Sequence, residues 1–193
     1  SKILMKKNKI YLICITDKEK DMEKWDLYDN NRQLTGKTIE RGQNCPQNLC
    51  RLVVHICIFN KRGEMLIQQR QGNKKSWPNA WDITLGGCVQ AGETSQQAAK
   101  RELSEELGID YDFSDVRPYM TINFNNGFDD FYLIEEDVPL NKITFKDNEV
   151  QAVKWATEEE ILDMIKSKQF INYYPTFISA LFEMKEARGV HKN

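Results

Sequence analysis

Four glutamates and one arginine are concentrated in a single short stretch of this 193-residue chain, GGCVQAGETSQQAAKRELSEELGID. They are Glu93, Arg101, Glu102, Glu105 and Glu106. On a helix, positions three and four apart share a face, so Glu102, Glu105 and Glu106 would project together; we call them the glutamate face. Like charges at this spacing repel by about 0.2–0.5 kcal/mol per pair. A hard divalent cation such as Mg²⁺ binds oxygen ligands and would turn that repulsion into attraction.

A solvated acidic surface is the alternative explanation, because runs of charged residues usually face water. The flanking signals nevertheless define a helix with a start, an end and a buried side. Thr94 and Gln97 form a capping box at its start, and Gly108 is typical of the position just after a helix. The residues at four-residue spacing that should face the core are Ala99, Leu103 and Leu107.

The spacing of these residues follows a known signature. Every specified position is filled in Gly87, five residues, Glu93, seven residues, Arg101-Glu102-Leu103, one residue, Glu105-Glu106, one residue and Gly108-Ile109. The stretch resembles the Nudix box, the loop–helix–loop signature of the Nudix hydrolases. The resemblance implies a Nudix fold of the α/β (α+β) class, with a mixed β-sheet sandwiched between helices. It also implies Mg²⁺- or Mn²⁺-dependent attack of water on a diphosphate linkage.

The resemblance assigns a role to each residue of the box. The implied metal ligands are the glutamate face, with the backbone carbonyl of Gly86 as a further candidate. One glutamate of that face, or a carboxylate elsewhere, would act as general base. Arg101 would orient the glutamates by charge-assisted hydrogen bonds, and Glu93 would tie the loop to the helix start. Gly86 and Gly87 would let the backbone turn tightly near the metal.

A wider resemblance covers residues Glu23 to Trp155. WDLYDNNRQLTGKTIERG and HICIFNKRGEMLIQQRQGNKKSWPNAWDIT look like Nudix proteins related to isopentenyl-diphosphate isomerase. In the isomerases an arginine and a lysine four residues later hold the substrate diphosphate, and Arg70 and Lys74 match them. The alternative for this basic pair is solubility of a polar loop.

A late carboxylate also matches the isomerases. They place a glutamate that helps metal binding and catalysis at the start of a late strand, and Glu149 stands there in DNEVQAVKW. The alternatives are a structural or surface role for Glu149, and Asp147 in its place.

Two departures separate the chain from the isomerases. Their catalytic cysteine and metal-binding histidine stand in a Cys-Gly-His stretch just before the box, where this chain has Gly86-Gly87-Cys88. A displacement of about 1 Å is costly in catalysis, so Cys88 is not expected to replace the thiol. The isomerase histidine of the core strand aligns with Arg51, and His55 is interpreted as a histidine of that strand. Without this acid–base pair, carbon protonation loses its catalysts, whereas the carboxylates needed for hydrolysis remain.

The predicted function is therefore a metal-dependent hydrolase. Its substrate would be a nucleoside diphosphate derivative or a related small diphosphate. Two alternatives stay open, namely isopentenyl-diphosphate isomerase and a non-catalytic nucleotide-sensing Nudix module. Such a module usually lacks a box carboxylate, and none is missing here. Aromatic residues that could set specificity, or could belong to the core, are Trp77, Trp81, Phe124, Phe128 and Tyr132.

Composition limits the remaining possibilities. A net charge of −2 gives no basic field for nucleic acid or anionic lipid, and no apolar run approaches the roughly 20 residues of a membrane span. The odd number of cysteines, 5, fits no zinc framework and suggests reduced thiols in a cytoplasm. A homodimer is a fair expectation for a small enzyme. Residues 1–22 are expected to be an N-terminal extension or tag-adjacent segment, and residues 23–193 a single Nudix domain with C-terminal helices.

The remaining elements follow from periodicity and turn residues. Residues 51–70 read as a hairpin closed by KRG, and WDITL reads as one strand. Further strands are expected in EKWDLYD, on both sides of NNGFD and in EVQAVKWA, whereas NNRQLTGK is turn-like. Thr157 should cap one helix, and a last helix should span Tyr174 to Arg188.

Overall fold

The structure is a computed structural model that describes residues 22–146, 148–187 and 189–191. Several sequence-based expectations lie outside these residues: almost all of the N-terminal extension, the alternative carboxylate Asp147 and the last residue of the final helix, Arg188. The division of the chain into an extension and one domain stays a prediction.

The described residues form short strands interleaved with three helices. The strands are β1 (Lys24–Tyr28), β2 (Leu34–Glu40), β3 (Arg51–Phe59), β4 (Met65–Arg70), β5 (Trp81–Asp82), β6 (Leu85–Cys88), β7 (Met120–Phe124), β8 (Gly127–Glu135) and β9 (Val150–Ala156). The helices are α1 (Ser95–Leu107), α2 (Glu158–Lys166) and α3 (Pro175–Met184).

A 7-stranded mixed sheet is the centre of the fold. Its order is β5-β4-β3-β8-β7, with β6 also paired to β3 and β9 to β4. β3 and β8 run parallel, and the other pairs in this sheet are antiparallel. β1 and β2 form a separate antiparallel ribbon.

Helices cover both faces of the sheet. The apolar row of α1, predicted from its four-residue spacing, is fully buried against residues of β3 such as Val54 and Ile56. On the other face, Ile161 of α2 and Ile178 of α3 pack with Phe59 and its neighbours. Each large apolar side chain buried in this way contributes about 1.5–3 kcal/mol. The predicted class, a mixed sheet sandwiched between helices, is confirmed.

Local capping signals fix where the helices begin and end. Thr94 and Gln97 form the predicted capping box on α1, and Gly108 ends the helix in the left-handed region at φ 66°. Thr157 caps α2 through the same motif. Pro175 occupies the first turn of α3, where its missing N–H costs nothing. None of the helices described here is both long and apolar enough to cross a membrane.

Strand pairing differs from the prediction in three places. The expected hairpin over residues 51–70 pairs only at Phe59 and Met65, because β6 lies beside the first half of β3 and β4 pairs along its length with β9. The turn-like NNRQLTGK contains the start of β2, whose pairing with β1 accommodates Gly36 at φ 73°. WDITL divides between β5 and β6. The final helix ends at Met184, earlier than predicted.

Candidate active site

A polar cavity of about 290 Å³ lies beside α1 and β6. It is lined by most of the residues that the sequence nominated, namely Gly86, Gly87, Arg101, Glu102, Glu105, Glu106, Arg70, Lys74 and Glu149. Glu93 and Gly108 lie outside the lining. A larger cavity of about 1170 Å³ between β7, β8 and α3 contains none of the nominated residues. The smaller cavity is therefore the candidate active site.

Arg101 is the hub of the carboxylate cluster. Its Nε and Nη2 donate to the two oxygens of Glu93 at 2.7 and 2.9 Å. Its Nη1 donates to Glu102 at 2.8 Å and to Glu105 at 3.1 Å, and Nη2 also donates to the Cys88 carbonyl at 3.1 Å. One guanidinium thus joins the end of β6, the following loop and two turns of α1.

Glu93 ties the loop to the helix. Burial alone would raise the pKa of its carboxyl, but hydrogen bonds from Arg101 and from the Gln90 N–H outweigh burial and hold the pKa below its usual range. The Gln90 N–H lies 2.9 Å from Glu93 Oε2. The carboxylate is therefore ionised and engaged at neutral pH, which suits a structural role in the loop.

The three carboxylates of the glutamate face lie in different surroundings. Glu105 is about half exposed, with 47 % of its side-chain surface accessible. Burial raises the pKa of Glu102 to about 7, against the opposing charge of Arg101. Burial, reinforced by the charge of Glu102, raises the pKa of Glu106 to about 8. Near neutral pH these pKa values favour the protonated form of both carboxyls, and a bound cation would favour their ionised form.

Gly86 and Gly87 are required for space rather than for a turn. Neither has a positive φ, and both lie within β6. A Cβ on Gly87 would collide with the Glu102 carboxylate, and a Cβ on Gly86 would lie 2.8 Å from His55 Nδ1. The expectation of a tight turn is therefore wrong. Glycine is needed because two side chains approach the strand closely.

Cations line the same cavity. Lys74 Nζ lies 2.7 Å from Glu149 Oε2, and Glu149 immediately precedes β9. Arg41 reaches Glu149 at 3.8 Å and Glu23 at 2.8 Å. Arg70 donates to the Ser76 carbonyl at 3.2 Å. Without a ligand, these cations hold protein acceptors, and an anionic ligand would compete for them.

Comparison with known proteins agrees with this arrangement. The NUDIX domain family matches residues 50–177. An uncharacterized Nudix hydrolase of Listeria monocytogenes is 45% identical over 170 residues, which cover 88% of this chain and 99% of the relative. The chain belongs to the Nudix family. It is a Nudix hydrolase, and hence an enzyme.

Two further Nudix-type similarities bear on structure and subgroup. The crystal structure of DR0079 from Deinococcus radiodurans matches with a TM-score of 0.65 at 25% identity, covering 86% of this chain and 99% of that one. The isopentenyl-diphosphate Delta-isomerase of Corynebacterium glutamicum is 27% identical over 124 residues, covering 59% of this chain and 66% of the relative.

The Nudix box carries the donor chemistry of a hard-cation site. Glu102 and Glu106 supply buried carboxylates, and the buried Gln68 Oε1 beside Glu106 has no hydrogen-bond partner within the described residues. These oxygens, with the Gly86 carbonyl, suit Mg²⁺ or Mn²⁺. The side chains are not gathered around one point, since no three acidic, histidine or cysteine side chains in the described ranges are placed to hold an ion together.

The thiol and the histidine near the Nudix box have ordinary roles. Burial raises the pKa of Cys88 to about 11, so the thiol stays protonated. His55 Nε2 lies 3.0 Å from Asp129 Oδ1, and the ring stacks on Phe131 at 4.5 Å. His55 is thus a strand histidine, as interpreted. Phe128 and Tyr132 belong to the core, whereas Trp77 is half exposed.

Three residues that also line the candidate active site were not predicted from the sequence, namely Arg41, Glu23 and Trp25. Arg41 directly follows β2 and Glu23 directly precedes β1, and the Arg41 N–H donates to the Glu23 carbonyl at 2.8 Å. Opposite charges at matching strand ends would have been a signal. This pairing of Arg41 with Glu23 could not be predicted, because the start of β2 was interpreted as a turn.

Proposed function

We propose that this Nudix hydrolase cleaves a diphosphate linkage in a nucleoside diphosphate derivative or a related small diphosphate, with Mg²⁺ or Mn²⁺ as cofactor. One observation carries the proposal: buried Glu102 and Glu106 share a cavity with Arg70, Lys74 and Arg41. Carboxylates for a hard cation and cations for phosphate oxygens are the two requirements of diphosphate hydrolysis.

The cations would hold the substrate. Arg70 offers a planar fork and Lys74 a point charge, and both suit phosphate oxygens. A diphosphate that binds Lys74 would replace Glu149 as its partner and release that carboxylate into the cavity. Arg41, which contacts the same carboxylate, would contribute a third positive charge.

The glutamate face and the Gly86 carbonyl would hold the cation. When bound, Mg²⁺ or Mn²⁺ would polarise a phosphoryl oxygen and lower the pKa of the attacking water. Arg101 would keep Glu102 and Glu105 oriented throughout. The candidates for general base are the carboxylates of the glutamate face and Glu149, since each of them lines the cavity.

Isomerisation of isopentenyl diphosphate is the second candidate, because of the similarity to the Corynebacterium glutamicum enzyme. It is disfavoured because Gly86 stands where the resemblance places the catalytic cysteine and Cys88 where it places the metal-binding histidine, and because the Cys88 thiol is protonated. A labelled-substrate assay tests it directly. Conversion to dimethylallyl diphosphate without phosphate release would support isomerisation and contradict hydrolysis.

A substrate screen tests the main proposal. Nucleotide sugars, dinucleoside polyphosphates, nucleoside triphosphates and prenyl diphosphates are incubated with Mg²⁺, with Mn²⁺ or with a chelator. We expect metal-dependent hydrolysis of at least one class, abolished by Glu105→Gln and by Glu106→Gln. Glu159→Gln, an exposed glutamate on α2, is the matched control and should retain activity.

Two outcomes would contradict the proposal. One is the absence of any metal-dependent product that depends on Glu105 and Glu106. The other is tight binding of a nucleotide that stays intact, which would indicate a sensing module. A homodimer and a cytoplasmic location stay predictions, to be tested by light scattering and by fractionation.

A further inference from the structure

Arg51, at the start of β3, lacks the partner that most buried cations have. Its Nε is buried and makes no hydrogen bond, and its guanidinium forms no ion pair with any residue that the structure describes. Five other arginines each have a carboxylate within 4 Å, namely Arg32, Arg41, Arg62, Arg70 and Arg101. Arg117 has none among the described residues either, but it is exposed to water. A buried donor without an acceptor is uncommon in native proteins and calls for an explanation.

The guanidinium is held between two aromatic rings. It lies over the ring of Trp25 at 5.5 Å and over the ring of Phe124 at 5.8 Å. Trp25 Nε1 donates to Glu23 at 2.7 Å, which fixes the indole. The Phe124 ring occupies the space above Gly127, where any Cβ would collide with it. The rings orient the fork without satisfying its N–H groups.

Arg51 and its two aromatic neighbours, Trp25 and Phe124, lie next to the cavity of the candidate active site. The Trp25 ring is part of the cavity lining, and so is Cys88. Cys88 pairs across the sheet with Val53, two residues after Arg51. Arg51 itself is not part of the lining, so a substrate held by its diphosphate needs a group that extends past Cys88 and Trp25 to contact it.

We propose that Arg51 binds an anionic group, a carboxylate or a phosphate, in the part of the substrate outside the scissile diphosphate. This inference rests on the proposed function. A planar fork with free N–H donors suits either anion in a bidentate arrangement. The stacked rings limit its rotation, so less conformational freedom is lost on binding. Arg51 is then a specificity determinant, separate from the groups that act on the diphosphate.

Matched pairs of compounds test this assignment. UDP-glucuronate and UDP-glucose differ by a carboxylate, and NADP⁺ and NAD⁺ differ by a phosphate. For wild type and Arg51→Gln, hydrolysis is measured with Mg²⁺ and binding is measured by calorimetry. We expect wild type to favour the anionic member of at least one pair by about tenfold, the size of a hydrogen bond to a charged group. Arg51→Gln should reduce that ratio to about one.

Two further variants separate recognition from folding. Arg51→Lys keeps the charge without the fork and should retain only part of the preference. Arg62→Gln makes the same chemical change in the β3–β4 turn and should leave the ratio unaltered. If Arg51→Gln unfolds, Arg51→Lys and wild type still measure the preference. Unchanged ratios in both Arg51 variants, or no preference in wild type by either readout, would overturn the proposal.

The two proposals fail in distinguishable ways. If no compound of the full substrate screen is hydrolysed, the proposed function is wrong, and calorimetry still shows whether anionic members of the matched pairs bind tighter through Arg51. If hydrolysis occurs and depends on Glu106 while Arg51→Gln alters neither ratio, only the assignment of Arg51 is wrong. Glu106→Gln should abolish hydrolysis and keep the anionic preference in binding.

Discussion

The glutamates of the Nudix box differ in their contacts with Arg101. Arg101 serves two carboxylates of the glutamate face and also Glu93, whereas Glu106 has no arginine partner and is held by burial beside Gln68. A bound cation would therefore be stabilised most beside Glu106, where the protein supplies the least positive charge. At the residue scale, the proposed chemistry depends on keeping Arg101 in contact with its carboxylates while Glu106 stays without a cationic partner of this kind.

Arg101→Lys tests whether Arg101 holds the carboxylates of the candidate active site in place. Lysine keeps the charge but cannot reach several acceptors in a fixed plane. We expect a fall of about 1–3 kcal/mol in the free energy of unfolding, because partly buried acceptors lose their donors, and a fall in kcat of up to about 10²-fold from misplaced carboxylates. Urea denaturation and steady-state kinetics measure the two. Lys100→Gln, an exposed neighbour, should change neither; an equal effect there would refute the hub role.

Lys74→Gln tests substrate binding. A lost charge-assisted hydrogen bond to phosphate should raise KM by about 10-fold or more, with a smaller change in kcat. The measurement uses whichever diphosphate the screen identifies. Lys75→Gln is the matched control, because Lys75 is adjacent but exposed and outside the cavity lining. Equal KM values in the two variants would mean that the loop contributes only general charge.

At the element scale, α1 is placed by signals at its ends as well as by its buried row. The same capping box begins α1 at Thr94 and α2 at Thr157. Gly108 leaves α1 where any Cβ would collide with Thr144 Oγ1, so glycine is required there by space and by its positive φ. Only α1 carries the glutamate face, so the two caps should differ in their functional importance.

Thr94→Ala and Thr157→Ala form a matched pair. Each removes one capping hydrogen bond and should lower the free energy of unfolding by about 1 kcal/mol. Only Thr94→Ala should also lower kcat, because the first turn of α1 follows the loop that Glu93 holds. Thermal denaturation and activity at a temperature well below both midpoints distinguish stability from positioning. Equal activity in both variants would show that the α1 cap has no positioning role.

At the scale of the whole molecule, an ion pair to the buried carboxylate of Asp130 joins distant elements. Arg32, in the turn between β1 and β2, donates to both oxygens of Asp130 on β8, one of them at 2.8 Å. Ser95, the first residue of α1, and Thr121 on β7 each donate to Asp130 at 2.6 Å. The ribbon, the sheet and the start of α1 are therefore held at one carboxylate.

The pH dependence of the stability of Asp130→Asn tests the contacts made by the Asp130 carboxylate. Burial would raise the pKa of Asp130, but hydrogen bonds from Arg32, Ser95 and Thr121 outweigh it and hold the pKa below its usual value. The folded state thus binds this proton more weakly than the unfolded state. The stabilisation is complete above the unfolded pKa of about 3.8 and is lost as pH falls through the folded value.

The variant should therefore unfold more easily at pH 7, by about 3 kcal/mol, since Arg32 is partly exposed and screened. It should also lose less stability than wild type between about pH 5 and pH 2. Urea titrations across that range measure both effects. Asp110→Asn, at an exposed position, should follow the wild-type curve. A parallel acid dependence in Asp130→Asn and wild type would contradict the assignment.

The amino-acid sequence was enough to predict the helix of the Nudix box, its caps and its buried row, because these depend on residues within one or two turns of each other. It also determined the mixed sheet between helices, through the box and the order of the elements. The hairpin predicted over residues 51–70 was too long, since β6 pairs with an edge of β3 and local turn residues cannot indicate that pairing.

The packing of the folded chain, and not its local sequence, fixes which charged side chains meet. It brought Arg41 and Glu23 into the cavity, separated exposed Glu105 from buried Glu106, and left Arg51 without a carboxylate between two rings. These outcomes depend on strands that lie far apart in the chain and pack together. Local propensity acts over a few residues, whereas burial and electrostatic partners are fixed only when the sheet closes.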